Sequence, residues 1–370
     1  MKKILLPILL LFLLSCTQEE KTGSYAIGFK TIQTVDKSRI YRPNTDTTDN
    51  LHFRPLDIDI WYPARVSNMD TCVRFRDILD LLEKRANYYT ASNAWNGITS
   101  KIAQSFCDGF QCSDSTKLLN YKTKTFRNVQ AIDSEFPLVI YMCAFNGMSY
   151  ENFKLFEDLA TRGFIVMSVN SIGRYPGDMT MKKEDLLEQV NDAITSFQII
   201  KQTSNVNFSK IGIIGYSWGG LSGAILAGKI PNVSCLISLD GSEFHHYDKE
   251  EETSDFNGIR FCPEFKNLNL TIPYLRLESS QIGIANKVDS IYNFSEKLIN
   301  EKLIFKIDSA QHEDFSCLPV IVRESGNCEI KNCYKTILKL TLYFLEDNLK
   351  NEHAFSHVIE QEINKTATGN

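Results

Sequence analysis

One stretch of the chain, KIGIIGYSWGGLSGA at Lys210–Ala224, restricts the fold more than any other. Its apolar run Ile211–Ile214 predicts a buried strand, and the small residues near its end predict a helix that starts almost at once. Between them lies GYSWG, Gly215–Gly219, which fits the pattern G-x-S-x-G. Small residues two positions before and after the serine let strand and helix pass closely, so that a sharp turn exposes the hydroxyl. We interpret Ser217 as a nucleophile; the alternative is a glycine-rich turn whose serine has no chemical role.

From residue 137 onward, apolar strand patterns alternate with amphipathic helix patterns. Strands are predicted at 137–144, 164–169, 210–215, 233–239, 274–277 and 302–307, and helices at 150–162, 184–202, 221–229, 291–300 and 334–349. Such alternation requires a parallel sheet with helices on both of its faces. An opening β-meander is predicted over residues 22–62. The expected fold class is therefore α/β, with a mostly parallel central sheet.

Residues 63–127 interrupt this strand-rich region with a different pattern. Residues 75–86 carry an apolar face at helical spacing, and a second helix is predicted at 94–106. We interpret the segment as an inserted helical cap over the sheet. The alternative is a helical decoration that lies away from the active site.

A serine nucleophile needs a histidine that accepts its proton and a carboxylate that orients the histidine. In strand–turn–helix serine sites these groups follow later strands, in the order serine, acid, histidine. His312 follows the last predicted strand and is the preferred base, with the adjacent His245 and His246 as rivals. Asp240 closes the strand after the serine helix and is the preferred acid. Glu278, at the end of the next strand, is the alternative acid.

The negative charge that develops when a carbonyl is attacked needs two backbone N–H donors, which form an oxyanion hole. One donor is expected from Trp218, the residue directly after the serine. The other is expected from the loop after strand 137–144, where we choose Phe145. The N-terminus of the helix that follows the serine favours the same negative charge.

The N-terminus carries a targeting signal. Met1-Lys2-Lys3 is positively charged, and the apolar run Ile4–Leu14 is too short to span a bilayer comfortably. It ends in Leu-Leu-Ser-Cys at Cys16, which resembles the lipidation motif of bacterial lipoproteins. We therefore expect a signal peptide over residues 1–16 with a lipid-anchored Cys16 and a location in the bacterial cell envelope. The alternatives are an ordinary secretory signal or a membrane anchor.

Composition limits the remaining possibilities. After the predicted signal peptide, we expect a polar tether at residues 17–24, one domain at residues 25–350 and a polar tail at residues 351–370. The formal net charge of -5, with dispersed lysines and arginines, gives no reason to expect nucleic acid as a partner. No metal site is predicted, because no C-x-x-C pair occurs. Outside the cytoplasm, disulfides are permitted between Cys107 and Cys112 or within the group Cys317, Cys328 and Cys333.

Four stretches together resemble the α/β-hydrolase superfamily, and within it the esterases similar to platelet-activating-factor acetylhydrolase and dienelactone hydrolase. They are FRPLDIDIWYPA at Phe53–Ala64, FPLVIYMCAFNG with DLATRGFIVMSVN over 136–170, IGIIGYSWGG around Ser217, and LDGS with SAQHEDFS around Asp240 and His312. The chain departs from the family at Cys143-Ala144, where a His-Gly step is usual.

The resemblance implies a serine esterase in which Ser217 is the nucleophile, Asp240 the acid and His312 the base. It implies a small-molecule, lipid or carbohydrate ester as substrate and no cofactor. Two alternatives remain open. One is a peptidase or amidase on the same fold, and the other is a non-catalytic lipoprotein that binds a glycan or a lipid.

Overall fold

An 11-stranded sheet forms the centre of the computed structural model, which describes residues 24–110, 114–202, 205–244, 253–280, 292–322 and 328–360. The strands are β1 (Ala26–Ile40), β2 (Phe53–Arg65), β3 (Cys72–Arg74), β4 (Lys122–Arg127), β5 (Gln130–Ala131), β6 (Phe136–Met142), β7 (Ile165–Val169), β8 (Val206–Tyr216), β9 (Val233–Leu239), β10 (Tyr274–Ser279) and β11 (Lys302–Ile307). The helices are α1 (Phe75–Thr90), α2 (Ile98–Phe110), α3 (Ser115–Leu119), α4 (Phe153–Thr161), α5 (Lys183–Ile200), α6 (Trp218–Ala227), α7 (Thr253–Phe261), α8 (Pro263–Lys266), α9 (Leu318–Val322) and α10 (Cys328–Lys350).

The strand order decides which loops meet. It runs β11-β10-β9-β8-β6-β7-β2-β1-β4-β3, with β5 paired to β2. The six strands from β11 to β7 are parallel, and β2 joins β7 antiparallel. The mostly parallel α/β sheet predicted from the sequence is confirmed. Because β8 lies between β6 and β9, the loops that leave their carboxyl ends are neighbours at one edge of the sheet.

Both faces of the sheet are covered, because successive strand residues point in opposite directions. On β6, Val139 and Tyr141 join one apolar core, while Leu138, Ile140 and Met142 join the other. The first core also contains residues of α1–α4, α9 and α10, and the second contains residues of α5–α8. Burial on both sides explains why these strands read as continuous apolar runs rather than as alternating ones.

The segment 63–127 is only partly helical. Helices α1 to α3 occupy its middle, but it begins on β2, and β3 and β4 extend the central sheet beyond β1. The sequence analysis missed these short strands: β4 pairs with the distant β1, and β3 pairs with β4. The segment therefore contains strands as well as helices, and its role as a cap stays a prediction.

Buried polar contacts hold α1 against the sheet. Arg85 on α1 donates two hydrogen bonds of 2.8 and 2.9 Å to the carboxylate of Asp59 on β2, and it also contacts Asp57. The hydroxyl of Tyr89 donates to Asp57 as well. All four side chains are buried. Removing one member of such a pair leaves an unpaired charge in the interior, which destabilises proteins by about 3–5 kcal/mol.

Some local predictions need correction. The helix expected at 291–300 is a short 3-10 turn at Phe294–Lys297, preceded by Asn293 with a φ of 50°. Cys317 is a free thiol that donates to the backbone oxygen of Glu151, so the pairings that include Cys317 are not formed. Residue 16, Cys112 and the side chain of Cys328 lie outside the described part. Among the described helices, none combines the length and the hydropathy that a membrane span requires.

Candidate active site

Ser217 occupies a strained turn between β8 and α6. Its backbone has φ 54° and ψ -122°, a combination that costs a non-glycine residue about 1–3 kcal/mol. The glycines two residues before and two residues after Ser217 are required because no room is left for a side chain. A Cβ on Gly215 would lie well under 3.0 Å from the backbone oxygen of Gly219, and a Cβ on Gly219 would collide with the backbone oxygen of Met142. The turn therefore has the geometry that the G-x-S-x-G pattern predicts.

The structure brings Ser217, His312 and Asp240 into one chain of hydrogen bonds. The Nε2 atom of His312 lies 3.0 Å from the Oγ atom of Ser217. The Nδ1 atom of the same ring lies 2.7 Å from Oδ2 of Asp240. The second carboxylate oxygen of Asp240 accepts a 2.7 Å hydrogen bond from the backbone N–H of Ser279. These distances are those of a nucleophile, a base and an orienting acid.

Neighbouring strand ends explain how residues so far apart in sequence meet. Ser217 follows β8, Asp240 follows β9 and His312 lies in the 3-10 turn that follows β11. The backbone N–H of Asp240 donates to Leu277 on β10 at 2.7 Å, and Asp240 has a φ of 47°. The acid therefore sits on a sharp turn that is fastened to the adjacent strand.

Asp240 is held as an anion although it is buried. Burial by itself raises the pKa of this carboxyl, but His312, the N–H of Ser279 and the positive charge of Arg276 outweigh burial. The net effect is a pKa below the ordinary value for aspartate. An ionised carboxylate at Nδ1 stabilises the imidazolium that forms when His312 accepts a proton.

The alternative acid, Glu278, has a different partner. Its Oε2 atom accepts a 2.9 Å hydrogen bond from Nε of Arg276, two residues earlier on β10. Asp240, and not Glu278, contacts the histidine. The rivals His245 and His246 lie outside the described residues.

Tyr216 supports the histidine in a way that the sequence analysis missed. Its ring stacks on the imidazole of His312, with the ring centroids 5.2 Å apart and the planes 27° from parallel. Its hydroxyl donates a 3.1 Å hydrogen bond to the backbone oxygen of His312. Tyr216 occupies a variable position of the G-x-S-x-G pattern, so the pattern itself held no signal for this role.

Trp218 and Phe145, the two residues expected to supply the oxyanion donors, pack against each other. Trp218 is the first residue of α6, where a backbone N–H has no acceptor within the helix. The ring of Phe145 packs edge-on against Trp218, with 6.1 Å between the centroids. The N–H of Ala144 already donates to Oε1 of Glu151 at 2.9 Å. Within the described residues, no acceptor takes the N–H of Phe145, so the donor role of Phe145 stays a prediction that this geometry permits.

Glu151 holds the loop that contains Phe145. Besides the Ala144 N–H, its Oε1 atom accepts a 3.1 Å hydrogen bond from the hydroxyl of Tyr141. Its backbone oxygen accepts from the N–H of Cys317, five residues after His312. Burial raises the pKa of the Glu151 carboxyl to about 7, despite the hydrogen bonds that lower it. Sequence reasoning missed this residue, because a lone glutamate before a helix is ordinarily exposed.

Replacing Glu151 with glutamine should flatten the dependence of stability on pH. The folded state keeps the proton of Glu151 up to about pH 7, whereas the unfolded chain releases it near pH 4.5. The unfolded state therefore binds fewer protons in that window, and the free energy of unfolding falls as pH rises from 4.5 to 7. Urea denaturation between pH 5 and 8 measures how the free energy of unfolding changes with pH. Glu157→Gln should flatten this dependence as well, because burial also raises the pKa of Glu157 to about 7. An unchanged slope in Glu151→Gln would contradict the assignment.

Comparisons with known proteins support the fold. Residues 137–286 match a family model described as alpha/beta hydrolase fold. A ferulic acid esterase from Streptomyces cinnamoneus superposes with a TM-score of 0.58, over 89% of this chain and 91% of that one, at 17% sequence identity. The protein has an α/β-hydrolase fold. No curated protein sequence matches the chain.

The α/β-hydrolase fold places active residues on loops at the carboxyl ends of its strands, and Ser217, Asp240 and His312 lie on such loops here. The matched segment includes the first two and ends before the third. In the described part of the chain, no three histidine, cysteine or carboxylate side chains form a group able to hold a metal ion.

Proposed function

We propose that the protein is a serine hydrolase that cleaves carboxylic esters through an acyl-enzyme. The observation that carries the proposal is the unbroken hydrogen-bond chain from Ser217 through His312 to Asp240, at 3.0 and 2.7 Å. Ser217 stands on a turn with a strained backbone, with φ 54° and ψ -122°. Backbone strain of this kind persists where it contributes to function.

The reaction proceeds in two halves. The Oγ atom of Ser217 attacks the ester carbonyl while Nε2 of His312 takes the hydroxyl proton, and Asp240 stabilises the resulting imidazolium. The N–H groups of Trp218 and Phe145 stabilise the negative oxygen of the tetrahedral intermediate. His312 returns the proton to the leaving alcohol as the carbon–oxygen bond breaks. A water molecule then repeats the sequence on the acyl-enzyme, which releases the carboxylic acid and restores the serine.

Esters are the substrate class we expect. The structurally similar protein is named a ferulic acid esterase. In the present chain the partly buried ring of Phe145 packs edge-on against Trp218, the residue that follows the serine. An apolar acyl group would pack against Phe145. Membership of the subgroup similar to platelet-activating-factor acetylhydrolase and dienelactone hydrolase is part of the same proposal.

A fluorophosphonate probe tests the proposal. Such probes react with an activated serine, so we expect a covalent adduct on the tryptic peptide that contains Ser217. Turnover of p-nitrophenyl acetate, compared with the matching p-nitroanilide, separates an esterase from an amidase or peptidase. A binding protein without catalysis would give neither an adduct nor turnover, and that result would end the proposal.

The location is proposed separately. We propose that Cys16 carries a lipid that anchors the protein in a bacterial cell envelope, on the strength of the Leu-Leu-Ser-Cys motif alone. Expression in a bacterial host with radiolabelled palmitate should label the wild-type chain and not the Cys16→Ala variant. Label that persists in the variant would place the modification elsewhere.

A further inference from the structure

A buried arginine lies directly behind Asp240. Arg276, on β10, is 1% exposed, and its Nη1 and Nε atoms donate hydrogen bonds to nearby acceptors. Its Nη1 atom donates to the backbone oxygen of Gly241 at 2.8 Å and to Oγ of Ser238 at 3.2 Å. Its Nε atom donates to Glu278. The guanidinium therefore contacts the chain on both sides of Asp240.

The turn that carries Asp240 depends on such contacts because its own conformation is unfavourable. Asp240 has a φ of 47°, in the left-handed region that non-glycine residues rarely occupy. The backbone N–H of Gly241 donates to Oγ of Ser238, which Arg276 also contacts. The backbone N–H of Ser242, two residues after Asp240, donates to the backbone oxygen of Ser217 at 2.9 Å. The turn thus links the acid to the nucleophile.

Glu243 completes the arrangement as the counter-charge of Arg276. Its Oε1 atom lies 2.9 Å from Nη1 of Arg276 and 2.5 Å from the hydroxyl of Tyr274. Glu243 is fully buried, and the guanidinium also lies over the ring of Phe244, 4.9 Å from its centroid. A buried ion pair is seldom more stabilising than apolar residues of the same volume. Its retention beside the acid is therefore more readily explained by positioning than by stability.

We propose that Arg276, with Glu243 as its counter-charge, is a positioning residue that holds the Asp240 turn in the orientation that His312 requires. The inference rests on the proposed serine-hydrolase function, because positioning has meaning only if Asp240 orients the base. Arg276 acts through Asp240 and does not touch the reacting atoms. Its positive charge also contributes to the low pKa of Asp240.

A double-mutant cycle with Asp240→Asn tests the proposal. Arg276→Met, combined with Glu243→Gln so that the fully buried Glu243 does not keep a charge without its partner, should lower kcat for p-nitrophenyl acetate at least tenfold in the wild-type background. The same pair of changes should lower the residual kcat of Asp240→Asn by less than twofold, because this variant has no carboxylate at residue 240 for Arg276 to position. Arg276→Lys, which keeps the charge, should recover part of the activity.

Controls separate positioning from stability. Arg54→Met removes another buried arginine, which pairs with Asp192 at 2.6 Å and lies on β2, separated from β9 by three strands of the sheet. This variant should have a lower melting temperature and an unchanged kcat at 20 °C. Circular dichroism establishes that each variant is folded under assay conditions. Equal losses of kcat in the wild-type and Asp240→Asn backgrounds would overturn the role of Arg276 and leave the hydrolase intact. Wild-type turnover in a Ser217→Ala variant would overturn both proposals.

Discussion

Replacing Ser217 with alanine should lower kcat for p-nitrophenyl acetate by a factor of about 10⁴ or more while the protein stays folded. The change removes the oxygen that attacks the ester, and with it the hydroxyl whose proton is accepted by Nε2 of His312, 3.0 Å away. Residual turnover would come from the oxyanion hole and from binding alone, which leave a small fraction of the rate when a triad residue is removed. The Ser217→Ala variant should also lose its reactivity toward a fluorophosphonate probe.

Ser222→Ala is the matched control for this variant. Ser222 lies five residues later, on α6, is fully buried, and its hydroxyl donates to the backbone oxygen of Gly219 at 3.3 Å. The same atom is removed, here from the helix that directly follows Ser217, so any general effect of losing a buried hydroxyl appears in both variants. We expect kcat within about threefold of wild type for Ser222→Ala. More than a tenth of wild-type activity in Ser217→Ala would refute the nucleophile assignment.

Replacing Gly219 with alanine should impair both stability and activity. The added Cβ would lie well under 3.0 Å from the backbone oxygens of Met142 and Cys143, at the end of β6, where backbone cannot give way easily. Overpacking of this kind destabilises by about 1–3 kcal/mol. Because Cys143 leads into the loop of Phe145, displacement also disturbs the oxyanion hole, and loss of one such donor lowers kcat by about 10²–10³.

Gly223→Ala distinguishes this clash from a general effect of alanine on α6. Its Cβ would meet a methyl group of Ile213 at 3.3 Å, a side-chain atom that moves more easily than backbone. Alanine is also the better helix former by about 1 kcal/mol. We therefore expect a melting temperature near that of wild type and unchanged kcat for Gly223→Ala. Urea denaturation and ester turnover measure both variants, and equal behaviour of the two would contradict the steric argument.

Two residues of the candidate site, Ser217 and His312, were predictable from where they stand relative to the predicted strands. Ser217 is marked by glycines that only a strand–helix turn requires, and His312 by its place after the last strand. Their contact, and the choice of Asp240 over Glu278, appear only in the folded chain. Two carboxylates that both close strands look alike in sequence. The strand order places Asp240 in contact with His312, while Glu278 accepts a hydrogen bond from Arg276 on the same strand.

Other parts of the molecule offered no sequence signal. Arg276 stands in the middle of the apolar run YLRLES, where a solvated charge on an edge strand is the ordinary interpretation. Only the burial of β10 between β9 and β11 makes this charge an internal one. The strands β3 and β4 were missed because short strands depend on partners rather than on their own residues.

By itself, the sequence determined the α/β class, the strand–turn–helix around Ser217 and which histidine contacts that serine. These features follow from local periodicity and from the steric demands of one turn, which neighbouring residues alone can express. The tertiary structure decided which acid meets His312, what lies behind that acid and how the loop of Phe145 is held. Those contacts depend on the order of strands in the sheet, and that order arises from packing between segments far apart in the chain.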